Sequence, residues 1–367
     1  MGRNSMKIKR LINCFIPVSI CNFECGYCYI PQCEGRKKNL MPQWSVEPAT
    51  VAKALSRKRL GGICFMNICG DGETLIPKEV PQIIIELLKE GHFIEVVTNG
   101  TLTNRFEEIF QADPKLLAHL EFKFSYHYEQ LKKKNMFNVF WNNVLAAKEH
   151  GCSFTVELTP HDELIPYIDD IINDCIDHVG AKCHITTAYN YQDNFSLLTK
   201  LSREEYLKHW GKFESPMFDF KMSILGQKRK EYCYAGEWLM SVDLASGIAH
   251  QCYFGLSQNI YKNINKPLKW MAIGKHCAYP CCFNGHALMA FGAIPEFAKD
   301  INYAMIRNRV CNDGTEWLSP EVKEAFSSKF IESNQPYSAM KKGINKLIQY
   351  TTKIAHKTER IFRNKQG

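Results

Sequence analysis

The sequence lacks any run of about 20 apolar residues, the length that a helix needs to cross a bilayer, because charges interrupt its longest apolar stretches. It also lacks a secretion signal, since residues 1–20 are polar and basic before a short β-like run. Neither a transmembrane helix nor export is therefore expected. Without export, a framework of disulfides is not expected either, and we expect a protein of the cytoplasm.

Cysteine, in contrast, is abundant. The 367 residues include 16 cysteines, and 45% of the chain is hydrophobic, which suffices for one large core or for a core with a smaller appendage. Since these thiols are expected to stay reduced, their number suggests metal ligation. Some of them are nevertheless interpreted as small buried residues. These are Cys14, Cys33, Cys64, Cys69, Cys152, Cys175, Cys183 and Cys311.

The net charge of the chain is +8, and much of the excess lies in the C-terminal segment 340–367. Apolar residues recur there near helical spacing, which predicts a terminal helix with its basic face in solvent. Contact with nucleic acid is not expected, because the sequence contains no recognisable RNA-binding module.

Hydrophobic periodicity predicts six strands that alternate with helices up to about residue 190. Gly91, Gly151 and Gly180 each follow a helical pattern at the position where a helix is expected to end. This order predicts a parallel sheet, either doubly wound or curled into part of a barrel. The predicted strands are 9–18, 62–69, 93–99, 120–126, 153–159 and 183–189.

Residues suited to chemistry follow the first four predicted strands. A group of cysteines follows the first strand, and the segment Gly-Asp-Gly-Glu (70–73) follows the second. Asn99 ends the third strand, and Ser125 and His127 lie at the end of the fourth. Because the carboxyl ends of parallel strands meet at the edge where such sheets and barrels form their sites, we expect one site at this edge.

The first group of cysteines lies in the segment CNFECGYCYI, where Cys21, Cys25 and Cys28 are spaced to ligate one metal centre. Structural zinc usually takes two pairs of ligands, and no second pair lies nearby in the sequence. A [4Fe-4S] cubane held by three thiolates leaves one iron open to an exogenous molecule. The spacing therefore favours the cluster, with zinc as the alternative.

The chain resembles the radical S-adenosylmethionine (SAM) superfamily in this CxxxCxxC spacing, in the aromatic residue before the third cysteine, in the segment 70–73 and in TNGT (98–101). The resemblance implies a partial (β/α)6 TIM-like barrel and a [4Fe-4S] cluster whose open iron binds SAM. Glycines let the backbone approach the cofactor closely, and a carboxylate balances its positive charge. Thr74 stands where the family usually has proline. The resemblance assigns cofactor binding to Tyr27, Gly70, Gly72, Glu73, Asn99, Ser125 and Glu157, with Thr159 as an alternative to Glu157.

A second group of cysteines lies after residue 230. The segment 233–255 predicts a β-hairpin, and with its Cys-Tyr-Ala-Gly opening it resembles the SPASM and twitch domains of many radical enzymes. The resemblance implies one auxiliary [4Fe-4S] cluster, and a four-thiolate zinc site is the alternative. The expected ligands are Cys233, Cys252, Cys277 and either Cys281 or Cys282. Whichever of the adjacent pair Cys281 and Cys282 is spare becomes a candidate hydrogen-atom donor.

The expected organisation is a radical SAM core (1–192), a helical connector (193–230), an auxiliary-cluster domain with a β-hairpin and helices (231–292) and a helical C-terminal region (293–367). The resemblance implies reductive cleavage of SAM to a radical that removes hydrogen from a substrate, with flavodoxin or ferredoxin as electron donor. Peptide-modifying members of the superfamily often carry a leader-recognition domain ahead of the cluster, whereas only twenty residues precede Cys21 here. This difference favours a small-molecule substrate, and we expect dehydrogenation or epimerisation of a sugar or cyclitol. Peptide modification, RNA modification and a non-catalytic zinc protein are the alternatives.

Overall fold

The structure is a computed structural model that describes residues 6–30, 39–193, 195–275, 277, 279, 281–282 and 285–349. Cys33, interpreted above as a small buried residue, lies outside the described residues. Six of the other cysteines given that interpretation are buried, and Cys69 is half-buried. No helix within the described ranges combines the length and the apolar character that a membrane crossing requires.

All six strands predicted from the alternation of the sequence are present. Within the described residues, the six run parallel to their neighbours, and three further strands extend the same sheet. The strands are β1 (Arg10–Ile16), β2 (Cys64–Gly70), β3 (Phe93–Thr98), β4 (Leu120–Ser125), β5 (Ser153–Leu158), β6 (His184–Ile185), β7 (Tyr189–Asn190), β8 (Ser196–Leu197), β9 (Leu239–Asp243), β10 (Ile248–His250) and β11 (Ser257–Asn259).

The sheet has the order β11-β10-β9-β1-β2-β3-β4-β5-β6, with β7 and β8 paired separately. Within the described residues its edge strands, β11 and β6, do not pair with each other, so the sheet is open. The expected partial barrel is therefore confirmed. The predicted hairpin is β9 and β10, and it joins the main sheet because β9 pairs in parallel with β1. This pairing satisfies the edge of β1, which would otherwise present unpaired backbone groups.

Helices follow most of the parallel strands, and prolines or serines begin several of them. Ser202, for example, accepts a hydrogen bond from the Glu205 N–H in a capping box. The predicted helix ends at Gly91, Gly151 and Gly180 all have positive φ. The helices are α1 (Pro48–Ala54), α2 (Arg57–Leu60), α3 (Val80–Lys89), α4 (Thr103–Phe110), α5 (Pro114–Leu117), α6 (Tyr128–Lys134), α7 (Phe137–Glu149), α8 (Ile168–Val179), α9 (Arg203–Trp210), α10 (Pro216–Ile224), α11 (His286–Ala290), α12 (Tyr303–Arg307), α13 (Pro320–Ser327) and α14 (Phe330–Ser333).

Two hydrophobic cores flank the sheet. On the outer face, α1, α3, α4, α7 and α8 cover side chains such as Ile12 and Met66. On the inner face, the C-terminal helices α11 to α14 cover Phe65, whose ring lies 5.2 Å from that of Phe291 and 4.9 Å from that of Phe326. The C-terminal region therefore fills the inner face near the start of the strands and leaves the carboxyl ends for a site.

Residues 339–349 form the predicted terminal helix as far as the structure describes it. Its apolar Ile344 and Leu347 are 52% and 64% exposed, so they are not the face that packs inwards. That face carries Asn345 and Gln349, whose side-chain amides donate to the carbonyl of Ala272. These polar contacts hold the helix against the rest of the protein. The spacing of the apolar residues predicted the helix but not the face that packs.

Candidate functional site

The cysteine loop, residues 21–28, is attached to the loop that follows β2. The Gly72 N–H donates to the carbonyl of Val18 at 2.7 Å, and the Glu73 N–H donates to that of Ile20 at 2.9 Å. A Cβ on Gly72 would lie 2.0 Å from the Ile20 carbonyl oxygen, so only glycine allows this approach. The glycine-rich segment thus positions the chain immediately before Cys21.

Glu73 joins the same loop to the end of β3. Its carboxylate is buried and accepts hydrogen bonds from the hydroxyl of Thr98, the backbone N–H of Asn99 and the backbone N–H of Leu75, at 2.7, 2.7 and 3.0 Å. Burial raises the pKa of this carboxyl, and the three hydrogen bonds act in the opposite direction. In the structure Glu73 therefore organises the loop, and its expected contact with the ammonium group of SAM stays a prediction.

Asn99 connects the end of β3 with the cysteine loop. Its Nδ2 donates to Oδ1 of Asn22 at 2.6 Å, and its Oδ1 accepts from the hydroxyl of Thr101 at 2.7 Å. The same Nδ2 lies 4.0 Å from the sulfur of Cys21. The predicted order of parallel strands placed the end of β3 and the loop after β1 at the same edge of the sheet. The structure brings these two segments together.

His127, just after β4, contacts the cysteine loop from the other side. Its Nδ1 lies 2.6 Å from the hydroxyl of Tyr27 and 3.5 Å from the sulfur of Cys25. Burial lowers the pKa of His127 to about 4, so the ring is neutral and its Nδ1 can accept the Tyr27 O–H. On its far side, Tyr27 packs against His161 with 4.2 Å between ring centroids. The aromatic residue before the third cysteine is thus fixed by two histidines.

Ser125 and Glu157 lie side by side at the ends of β4 and β5. The carboxylate of Glu157 is 2.6 Å from Arg307 and 3.2 Å from Lys123. Although burial acts to raise it, the pKa of Glu157 lies below its usual range because these cations are close. The structure engages Glu157 in ion pairs, and its predicted role toward the cofactor, like that of Ser125, stays a prediction.

The second cysteine group lines one cavity. The thiols come from the segment before β9, the end of the β9–β10 hairpin and the segment before α11, and the remaining walls are apolar, including Phe254, Tyr279, Leu288 and Met289. Residues far apart in sequence therefore meet as expected for one centre. The group consists of Cys233, Cys252, Cys277, Cys281 and Cys282.

The adjacent Cys281 and Cys282 have different surroundings. Burial, together with the neighbouring Cys233 and Cys277, raises the pKa of Cys282 to about 12. Cys252 in turn has Cys282 and Cys277 as its thiol neighbours. Burial and the neighbouring Cys277 raise the pKa of Cys281, whose sulfur accepts the backbone N–H of Gly226, and this thiol is an electrostatic neighbour of Tyr189.

An aromatic bridge connects the two cysteine groups. Tyr29, next to the last cysteine of the loop, stacks on Tyr191 with centroids 4.9 Å apart, and Tyr191 meets Phe195 at 5.0 Å. Phe195 lies 6.2 Å from Tyr279, which lies 4.8 Å from Phe254 in the wall of the cavity. Phe195 has a φ of 61°, a left-handed conformation that costs energy for an aromatic residue and is often found at functional sites. We call the space between the two groups, bounded by this bridge, the cleft.

Thiols are the protein donors in both groups, and this is the ligand set of iron–sulfur clusters. Among the residues described, no three His, Cys, Asp or Glu side chains are placed to hold a single metal ion. In a cubane each thiolate binds a different iron atom, so the donor chemistry of the two groups fits clusters.

The Radical SAM superfamily model matches residues 15–175, which include the cysteine loop and the strands β2 to β5. The chain carries a radical SAM domain. No curated protein has a sequence that matches this chain. Within the radical SAM domain, the site residues predicted from the sequence all lie at the carboxyl edge of the sheet.

Several solved structures are similar to 70–73% of the chain. SuiB of Streptococcus suis bound to S-adenosylmethionine is 13% identical, with 70% of this chain and 64% of SuiB covered and a TM-score of 0.49. The protein anSMEcpe with bound AdoMet is 16% identical, with 70% and 76% covered and a TM-score of 0.45. BtrN in complex with AdoMet and 2-DOIA is 14% identical, with 73% and 78% covered and a TM-score of 0.35. The chain thus spans less than two thirds of the length of SuiB.

Sequence reasoning missed four charged or polar residues near the radical SAM site. Lys123 on β4 carries a sequence signal, because a charge in the middle of a buried strand is unusual. The other three come from distant segments, where no local pattern indicated their place. They are Lys221, His286 and Arg307.

Proposed function

We propose that this chain is a radical SAM enzyme that oxidises or epimerises a small molecule bound in the cleft. The family implies a [4Fe-4S] cluster on Cys21, Cys25 and Cys28 that, with SAM and one electron, supplies a 5′-deoxyadenosyl radical. The electron comes from a donor such as flavodoxin or ferredoxin, and the reduced thiols suit the cytoplasm. The chain itself orients the substrate and excludes water.

The observation that carries this proposal is the position of the second cysteine group relative to the cysteine loop. The aromatic bridge connects the two groups, so a substrate in the cleft would face both. Tyr253 follows Cys252 and has Tyr29 and Cys69, from the radical SAM domain, among its electrostatic neighbours. The aromatic side chains on this path suit a small molecule as the substrate.

We further propose that the second group holds an auxiliary [4Fe-4S] cluster on Cys233, Cys252, Cys277 and Cys282. The mutual proximity of these four thiols supports Cys282 over Cys281 as the fourth ligand. Four thiolates would also satisfy zinc, so iron and sulfide analysis has to separate the two metals.

An auxiliary cluster in this place would suit dehydrogenation of an alcohol. Loss of a hydrogen atom from the carbinol carbon leaves a carbon radical, which becomes a carbonyl when the hydroxyl loses a proton and the radical loses one electron. The auxiliary cluster would accept that electron. The product is two hydrogens lighter than the substrate, and 5′-deoxyadenosine and methionine are released.

Epimerisation is the second candidate, and the environment of Cys281 favours it. The thiol of Cys281 is not among the thiol neighbours of Cys233 or Cys252, and it is an electrostatic neighbour of Tyr189. It could return a hydrogen atom to the opposite face of the substrate radical. The thiyl radical so formed then requires one electron and one proton, which the external donor and solvent supply.

Incubation of the reconstituted, reduced protein with SAM and candidate small molecules tests the proposed function. We expect 5′-deoxyadenosine whose amount rises with the true substrate, together with a product of either the same mass or two hydrogens lighter. A protein that contains zinc, lacks sulfide and never forms 5′-deoxyadenosine would contradict the proposal.

A further inference from the structure

A charged layer lies beneath the cleft on the inner face of the sheet. The guanidinium of Arg307 is 3.7 Å from Glu95, 3.2 Å from Glu121 and 2.6 Å from Glu157. All four side chains are buried. Three carboxylates therefore surround the single guanidinium of Arg307, and Glu157 is the carboxylate nearest the carboxyl edge.

Two lysines approach the upper side of this layer. Lys123 pairs in register with Val97 and Thr155, so it points to the same face as Ser125, roughly 7 Å further from the carboxyl edge. Its ammonium lies 3.2 Å from the carboxylate of Glu157. Lys221, on α10, is 3% exposed and donates to the hydroxyl of Thr186 at 2.6 Å.

His286 lies beside these lysines without a hydrogen-bond partner in the described part of the chain. It is 5% exposed, and neither of its ring nitrogens has a partner. Burial lowers its pKa, and the nearby Lys221 and Lys123 lower it further. Burial of an imidazole that makes no hydrogen bond is unfavourable. A ligand that forms a hydrogen bond with this ring would therefore lower the free energy of the folded state.

The balance of charge at this point indicates what that ligand is. Glu157 is shared between Arg307 and Lys123, and Lys221 contributes a further cation whose pKa burial lowers to about 7. A buried cation regains its ordinary charge state when an anion pairs with it. Because Glu95 and Glu121 contact Arg307, the two lysines Lys123 and Lys221 share the single carboxylate of Glu157 on the side of the layer that faces the carboxyl edge.

The same residues lie next to the proposed reaction partners. The Nζ atom of Lys221 is 5.9 Å from the ring centroid of Tyr189, which has Cys281 among its electrostatic neighbours. Lys123 lies one inward-facing position below the strand end that carries Ser125. A group held by these two lysines would therefore lie near Tyr189 and below the strand end that carries Ser125.

We propose that Lys123, Lys221 and His286 bind an anionic group of the substrate, a carboxylate or a phosphate. This rests on the proposed function, and it narrows the substrate class from any sugar or cyclitol to an acidic or phosphorylated one. Charge-assisted hydrogen bonds from two ammonium groups would hold the anion, and the neutral imidazole would donate one more.

Calorimetric titration of the iron-loaded enzyme with inorganic phosphate and, separately, with acetate at constant ionic strength tests this proposal. We expect saturable binding of one of the two anions, and the preferred anion distinguishes a phosphorylated substrate from a carboxylic acid. Lys221→Met and His286→Leu should each weaken that binding at least tenfold. Lys212→Gln, on an exposed lysine paired with Asp169, should leave it unchanged.

Iron content, formation of 5′-deoxyadenosine and thermal unfolding are measured on the same preparations. Wild-type enzyme that contains iron and cleaves SAM but binds neither anion would overturn the anion site and leave the proposed function intact. Equal binding by wild type and by both folded variants would overturn it as well. A preparation that binds anions but never cleaves SAM would instead contradict the proposed function. If one variant fails to fold, the other still decides the assignment.

Discussion

The hydroxyl oxygen of Tyr27 lies 2.6 Å from Nδ1 of His127, a contact between residues 100 positions apart in the chain. It links the cysteine loop to the end of β4, and Cys25 contacts the same nitrogen at 3.5 Å. The loop that carries the three thiols is therefore held by a strand end that provides none of the proposed ligands.

Tyr27→Phe should weaken retention of the first cluster. Loss of this hydrogen bond costs about 1 kcal/mol, a factor of about five in the equilibrium between the ordered and displaced loop. Chelator-driven loss of iron, followed by absorbance, measures the effect. Tyr126→Phe is the matched control, because it removes a buried hydroxyl bonded to Asp174, away from the loop. Equal iron loss in both variants would contradict the role of the Tyr27 hydroxyl.

Gly72→Ala should displace the cysteine loop. The new Cβ would collide with the carbonyl of Ile20, and relief of such overpacking costs about 1–3 kcal/mol. We expect a lower free energy of unfolding in urea and reduced iron content. Gly211→Ala is the control, since a Cβ there meets no atom within 4 Å and φ is −62°. It should be neutral or raise the stability by about 0.4–1 kcal/mol.

The order of the predicted strands, helices and motifs along the sequence indicated the main features of the fold and of the site at the cysteine loop. Six strands were visible because alternation and helical periodicity repeat locally, and the motifs after them fell at one edge because parallel strands share a direction. Gly72 is a position of close approach in the structure, where its partner is the chain before Cys21, and its predicted contact with the cofactor stays a prediction.

Features that depend on distant pairing were not predictable. The contact between Arg307 and Glu121 joins residues 186 positions apart, and no local pattern encodes it. Likewise, the pairing of β9 with β1 attaches the hairpin to the main sheet, whereas its sequence showed only that a hairpin forms. The charges at 95, 121, 123 and 157 in buried strands were the available signal of the charged layer.

Cys282→Ser and Cys281→Ser should differ in iron content. If Cys282 is the fourth ligand of an auxiliary cubane, its replacement should remove about four of roughly eight irons, while Cys281→Ser should retain them all. Iron and sulfide assays after anaerobic reconstitution give the counts. The opposite pattern would exchange the roles of the two residues, and no loss in either variant would argue against this ligand set.

Turnover in heavy water distinguishes the two candidate reactions once a substrate is found. A thiol exchanges its hydrogen with solvent, so epimerisation through Cys281 should place one deuterium at the inverted carbon, and Cys281→Ser should abolish both label and inversion. Dehydrogenation should give a product two hydrogens lighter, without solvent deuterium, and Cys281→Ser should still form it. Mass spectrometry of the product reads out either result.

The most direct test of the central claim is reductive cleavage of SAM by the wild type and by the variant with Cys21, Cys25 and Cys28 all replaced by alanine. After anaerobic reconstitution with iron and sulfide, we expect the reduced wild type to form 5′-deoxyadenosine. The triple variant should form none and yet retain about four irons at the second cysteine group. Equal formation of 5′-deoxyadenosine by both proteins, or none by an iron-loaded wild type, would contradict the account.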